Sequence, residues 1–313
     1  MAAISRCVIT GAGGFIGSYL AERLLKDGAA VEAFDLAEPR LMPEGRFRFT
    51  AVDIEQRAAL ERAMRDARPD AVFHLAAQSY PGLSWDDPVR TFRANILGSV
   101  NVFDAVRAAG GKASVVAICS SAEYAARSTA EPIAEDSALE PSSPYGVSKL
   151  AEDELGRLYV ERYGMRIIRV RPFYLIGPRK TGDVSSDFAR GIVAIERGQR
   201  QELLVGNLEV VRDLLDVRDG AAALVMLAER GVAGEVYNVC SGRGYAVREM
   251  LEILKRLAKT PVTDKQDASR VRSIDEPVKI GDASRLKELG WSPQHSIEST
   301  LSDILEYWRA QPS

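Results

Sequence analysis

The stretch CVITGAGGFIGSYLAERLLKDG, residues 7–28, sets Gly11, Gly14 and Gly17 between a β-branched run and an amphipathic helical pattern. No other feature restricts the fold so strongly. Glycines at G-x-x-G-x-x-G spacing on a strand-to-helix junction allow a tight turn, bring bare backbone up to a pyrophosphate, and pack the helix against the strand. The helix then starts with unpaired N–H groups and a partial positive charge facing the phosphates. Gly11, Gly14, Phe15, Ile16 and Gly17 are therefore predicted to hold a dinucleotide. The next β-branched run, VEAFD, ends at Asp35, 18 residues beyond Gly17, near the ~20-residue spacing at which an acid meets the adenosine ribose. A carboxylate there repels a 2′-phosphate by about 1–4 kcal/mol. NAD(H) is favoured and NADP(H) remains possible, with Arg40 on the following loop able to soften the preference.

Strand-like runs recur at 71–76, 114–120, 166–171 and 235–239, separated by helix-period stretches near 55–67, 88–109 and 145–163. Such alternation implies right-handed crossovers and a parallel sheet covered on both faces. The expected fold class is α/β, a doubly wound parallel (Rossmann) sheet with a smaller discontinuous α/β substrate domain. That second part is expected because the rhythm is lost after RVRPF, in the Pro/Gly-rich link LIGPRKTGDVSSD, whereas a helix near 217–230 and the strand at 235–239 look like returns to the sheet. The expected division is 1–171 plus about 212–238 for the dinucleotide, and about 172–211 plus 239–313 for the substrate.

A formal net charge of -3 over 313 residues offers no general attraction to nucleic acid or to an anionic membrane. Cys7, Cys119 and Cys240 are odd in number, and two of them end apolar runs, so free thiols and a cytoplasmic setting are expected. The chain opens directly into a strand without a signal-peptide pattern, and the apolar block AAALVMLA falls far short of the ~20 residues of a membrane span. His74 and His295 have no ligand-type neighbours at metal spacing. No metal is expected, and His74 reads as a satisfied histidine at a strand end.

The segment SSPYGVSKLAEDEL, residues 142–155, begins a helix with Ser143 as cap and Pro144 in the first turn. Val147, Ala151, Leu155 and Leu158 are expected to form its core stripe. Tyr145 and Lys149, four residues apart, share a face. An ammonium beside a phenol favours the phenolate, so a lowered Tyr145 pKa and a role in proton transfer are expected. Ser120 ends the run SVVAICS, on the same edge of the sheet, where open α/β sheets bind ligands. Leu75, Ala76 and Ala77, in HLAAQS, would border the nicotinamide ribose. Asp53, followed by Ile54, could reach the adenine, cap the next helix, or do both.

With these residues assembled, the sequence resembles the extended short-chain dehydrogenase/reductase (NAD-dependent epimerase/dehydratase) family over essentially its whole length. TGAGGFIGSYLAERLL, HLAAQS, SPYGVSK and RPFYLIGPR carry the likeness. VGNLEVVRDLLDVRDGAAAL and GEVYNVCSGRGYAVREML look more narrowly like GDP-4-keto-6-deoxy-D-mannose reductases and GDP-mannose 4,6-dehydratases. The resemblance implies Ser120, Tyr145 and Lys149 as catalytic residues, a nucleotide-diphospho-sugar substrate, and a homodimer built on the helices near 88–109 and 145–163. It also implies diphosphate contacts from Arg212 and Arg272, with sugar and ribose contacts from Ser79, Val184 and Asp275. Dehydratases of this kind carry an acid where this chain has Ala122, which leaves 4-keto reduction or, alternatively, 4-epimerisation with retained NAD. Glu123 could contact substrate or bond to backbone. A non-catalytic dinucleotide sensor is the remaining class, and the presence of both Tyr145 and Lys149 speaks against it. Two departures from the family pattern are Tyr174 in place of asparagine and EYAA in place of Tyr-Gly.

Overall fold

The computed structural model describes residues 4–39, 43–270 and 276–312. The first half alternates strand and helix: β1 (Arg6–Thr10), α1 (Phe15–Lys26), β2 (Ala30–Asp35), β3 (Phe47–Ala51), α2 (Arg57–Ala67) and β4 (Ala71–His74). Two short helices, α3 (Pro81–Asp86) and α4 (Pro88–Phe92), precede α5 (Gly98–Ala108), β5 (Ser114–Ile118), α6 (Pro144–Tyr163) and β6 (Ile167–Pro172). The second half contains β7 (Tyr174–Ile176), α7 (Val184–Glu196), β8 (Leu203–Val205), β9 (Val211–Asp216), α8 (Val217–Arg230) and β10 (Val236–Val239). It ends with β11 (Gly244–Ala246), α9 (Val247–Leu257), β12 (Asp264–Gln266), β13 (Val278–Lys279), α10 (Ser284–Glu288) and α11 (Ile297–Ala310).

A seven-stranded sheet runs in the order β10-β6-β5-β4-β1-β2-β3, parallel at every pairing. β4 and β5 are buried along their whole length. Helices cover both faces of such a sheet, which explains why its central strands read as unbroken apolar runs rather than alternating ones. The strand order reverses beside β1, and the resulting crevice at the strand C-termini is where ligands meet this kind of sheet. β9 pairs instead with β7, β11 and β13, and β8 pairs with β12. A separate apolar cluster, including Phe188, Ile192, Leu251, Leu254, Leu301 and Ile304, supports these smaller sheets.

Two helices depart from the sequence reading. The stretch expected as one helix over 88–109 contains a π-helical turn, Arg93–Leu97, which buries Asn95 between α4 and α5. On α6 the expected core stripe is inverted: Val147 is 43% and Leu158 is 47% exposed, with Ala151 and Leu155 half-buried. The buried face carries Gly146, Ser148, Lys149, Glu152, Asp153 and Gly156. Polar side chains occupy it because they pair with one another and with the sheet. Gly146 permits close approach, since a Cβ there would lie 2.6 Å from the Ala122 carbonyl oxygen. Leu83, Trp85, Val89, Phe92 and Leu97 are likewise exposed on the preceding helices and turn.

Candidate active site

The glycine turn is built for close approach. Gly11 adopts φ +72°, and a Cβ there would lie 2.7 Å from the Ala76 amide nitrogen; one on Gly17 would lie 2.4 Å from the Gly11 carbonyl oxygen. Gly14, the N-cap of α1, supplies no side-chain bond to the first-turn N–H groups, leaving them for an anion. Asp35 accepts hydrogen bonds from the amides of Gly13 (2.9 Å) and Leu36 (2.7 Å), which fixes its carboxylate beside the turn. These features fit a dinucleotide whose pyrophosphate faces Gly11–Gly17 and whose adenosine ribose faces Asp35. Phe15 and Ile16 are half-buried in the first turn of α1, and Lys180 stands 5.4 Å from the Phe15 ring centroid. Leu75, Ala76 and Ala77 are half-buried just beyond β4.

Asp53 does not cap α2. That helix starts at Arg57 with Gln56 as its N-cap, while Asp53 accepts from the Glu55 amide (2.9 Å) in a preceding turn. The side chain finds a local backbone donor before the helix begins. Ile54 is buried against Gly98, whose missing Cβ leaves it room. His74 is satisfied as expected: Nδ1 bonds Thr10 Oγ1 (2.8 Å) and Nε2 bonds Ser99 Oγ (2.9 Å). Loss of water and the nearby Lys149 push its pKa down to about 3, so the ring is neutral.

Ser120, Tyr145 and Lys149 come together at the C-terminal edge of β5. Ser120 caps a single 3₁₀ turn, accepting from the Ala122 amide (3.1 Å) while its own amide donates to Glu123 Oε1 (2.7 Å). Tyr145 occupies the first turn of α6, where Ser143 Oγ accepts from the Gly146 amide and Ser84 Oγ accepts from the Tyr145 amide, each at 3.1 Å. The Ser120 hydroxyl lies near enough to its phenol to favour the ionised form. Lys149 Nζ donates to the Ile118 carbonyl and to Glu152 Oε2, each at 2.7 Å. The Tyr145 pKa is raised, against the sequence expectation, because burial of the phenol outweighs the pull of Lys149 and of Ser120. Glu152, which the i, i+4 argument leaves out, holds the ammonium on its other side.

Glu123 faces the core rather than the cleft. Besides accepting from the Ser120 amide, it lies 3.0 Å from Arg171 Nε. Burial and neighbouring Asp153 push its pKa well above the carboxylate range. Arg171 also donates to Asp153 (2.8 Å), to the Tyr124 hydroxyl (3.0 Å) and to the Glu135 carbonyl (3.0 Å), and Arg169 pairs with Asp153. Cys119, Glu123 and Asp153 bring ligand-type atoms together here, but the guanidinium groups already serve the carboxylates. The three cysteines are free and buried.

On the substrate side, Arg212 of β9 is buried, donates to the Val211 carbonyl (2.9 Å), and places its guanidinium carbon 5.4 Å from the ring centroid of half-exposed Tyr174. Ser79 is exposed after β4, and Val184 is exposed at the start of α7. Arg40, Arg272 and Asp275 lie outside the described residues. Sequence reasoning also passed over Asn95, which accepts from the Gln78 amide (2.7 Å) and donates to Ser148 (2.9 Å), tying the end of β4 to the helix of Tyr145. The signal for Glu152 was its helical phase, three residues after Lys149 on the same face.

Residues 8–304 match the family described as GDP-mannose 4,6 dehydratase. A GDP-6-deoxy-D-mannose reductase of Pseudomonas aeruginosa is 38% identical over 247 residues, 78% of this chain and 81% of that protein. The structure of RMD from Pseudomonas aeruginosa complexed with NADPH covers 98% of this chain and 99% of its own, at 32% identity and a TM-score of 0.84. The Thermus thermophilus UDP-glucose 4-epimerase in complex with NAD covers 97% of this chain and 99% of its own, at 28% identity and a TM-score of 0.88.

Proposed function

The chain belongs to the GDP-mannose 4,6-dehydratase family, within the extended short-chain dehydrogenase/reductase enzymes, and on that premise we propose that it reduces the 4-keto group of a nucleotide-diphospho-6-deoxyhexose. The substrate put forward is GDP-4-keto-6-deoxy-D-mannose. NADH or NADPH, when bound, supplies the hydride. Tyr145 donates a proton to the C4 oxygen, Ser120 holds that oxygen by its hydroxyl, and Lys149 orients the nicotinamide ribose. Hydride at carbon and proton at oxygen balance the conversion of ketone to alcohol. Arg212 and Arg272 would hold the diphosphate, and Ser79, Val184 and Asp275 the sugar and ribose.

The observation that carries this reading is the alanine at position 122. Ala122 stands where dehydratases place their acid, and the adjacent Glu123 is turned into the core on Ser120 and Arg171. A methyl group cannot move the protons that dehydration requires. The likeness to a UDP-glucose 4-epimerase complexed with NAD sustains 4-epimerisation as the second reading. Incubating the protein with GDP-4-keto-6-deoxy-D-mannose and either NADH or NADPH should oxidise one cofactor per sugar reduced. No oxidation with either cofactor refutes the reductase; a cofactor that survives purification, with sugar interconversion and no net oxidation, establishes the epimerase.

The exposed apolar side chains on α3 to α6, Trp85, Val89, Phe92, Val147 and Leu158 among them, support a homodimer through this face. Three free thiols support a reducing, cytoplasmic setting. No helix among the described residues is long and apolar enough to cross a membrane. The division of labour belongs to the same reading: 1–171 plus about 212–238 for the dinucleotide, and about 172–211 plus 239–313 for the sugar nucleotide. The pairing of β9 outside the large sheet favours moving the internal boundary to Val217.

A further inference from the structure

Glu152 is fully buried, yet one of its carboxylate oxygens, Oε1, has no hydrogen-bond partner among the described residues. The other oxygen receives the Lys149 ammonium at 2.7 Å. A buried carboxylate left half satisfied costs stability, so its presence calls for a physical account. Every other group facing it is uncharged or already committed. On its own helix Asp153 is held by Arg169 and Arg171. From β4, neutral His74 brings Nε2 to 3.8 Å of Oε1 but bonds Ser99 instead. After β5, burial pushes the Cys119 thiol well up, which keeps it protonated. Asn95 and Ser99, from the π turn and α5, carry no charge. Lys149 is thus the one cation in contact with Glu152 among the described residues, and it is also the cation that pulls on the Tyr145 phenol.

We propose that Glu152 is a positioning residue for proton transfer: by neutralising Lys149 from the side away from the cleft, it keeps Tyr145 protonated. The direction of benefit rests on the reductase reading, because carbonyl reduction needs a phenol that donates, whereas alcohol oxidation needs a phenolate that accepts. Two of the three Lys149 N–H groups are fixed, on the Ile118 carbonyl and on Glu152. The third is left for the tyrosine and the nicotinamide ribose. With Glu152 replaced by an uncharged residue, the ammonium acts on Tyr145 without opposition and the phenol becomes more acidic.

The test is a titration that uses no substrate. Protein carrying ¹³Cζ-labelled tyrosine is followed by NMR from neutral to alkaline pH, with the Tyr145 resonance assigned by its loss in Tyr145→Phe. Glu152→Gln should lower the Tyr145 pKa by about one unit or more, at least a tenfold gain in acidity. An unchanged or higher pKa in a folded variant overturns the proposal. Glu152→Leu keeps the volume without the charge and provides the same reading if the glutamine variant does not fold. Because no sugar is involved, failure of the reductase assay leaves this result standing, and an unmoved pKa beside active reduction removes this proposal alone.

Discussion

Glu152 and Asp153 are neighbours in sequence, both fully buried on the inward face of α6, and they serve it in opposite ways. Asp153 lies between Arg169 and Arg171, in a network that continues through Tyr124 and Asn238 to join the turn after Ser120, α6, β6 and β10. Its oxygens are paired, and such a network fixes geometry. Among the described residues Glu152 has a single cation and one oxygen without a hydrogen bond. Burial pushes its pKa up to about 7, with Lys149 only partly restraining the rise. One acid thus ties the turn after β5 to α6 and β6, and on our proposal the other sets the charge that the Tyr145 phenol experiences. The difference teaches that burial alone does not assign a role; the partner's task does.

The comparison breaks most readily at Asp153. Asp153→Asn leaves two buried guanidinium groups short of a carboxylate, and unfolding in urea should show a loss of about 3–5 kcal/mol. The Tyr145 titration should stay in place in whatever remains folded. If the stability loss is absent, or the tyrosine shifts as much as in Glu152→Gln, the two acids do not divide the work. A smaller effect belongs to Glu152. Its pKa is raised from 4.5 to about 7 in the fold, so the native state binds the extra proton. Its contribution to stability is fully present below the unfolded value and is lost as pH rises through about 7. The urea midpoint of the wild type should carry this decline, up to about 1.4 kcal/mol per pH unit, and Glu152→Gln should flatten it. Equal slopes in the two proteins would contradict the assigned titration.

The glycine turn was legible in the sequence because its constraint is local: three glycines, a strand before them, a helix after them, and Asp35 at the next strand end. Ser120, Tyr145 and Lys149 were legible because strand ends and helix phase place them on one edge. Val147 and Leu158 misled because apolar spacing on a helix is read as core, and α6 turns a polar, ion-paired face inward instead. The Tyr145 pKa went the other way because helical spacing gives the distance to Lys149 but neither the loss of water nor the acid behind the lysine. Of the two roles offered for Asp53, the cap falls three residues too early, since an Asx turn and a helix start share the same residue preference. The backbone-bonded alternative for Glu123 holds through the local S-x-x-E capping box with Ser120, whereas its ion pair with Arg171, 48 residues away, is one that no local pattern reveals.

The most direct test of the central claim compares the wild type with Tyr145→Phe for reduction of GDP-4-keto-6-deoxy-D-mannose, following loss of reduced-nicotinamide absorbance, with cofactor affinity measured in parallel. Removing the donor hydroxyl should slow turnover by about 10²–10⁴-fold while the cofactor binds as before. A phenylalanine variant that turns over at the wild-type rate would show that the proton comes from elsewhere and that the assembly of Ser120, Tyr145 and Lys149 is not the reacting centre.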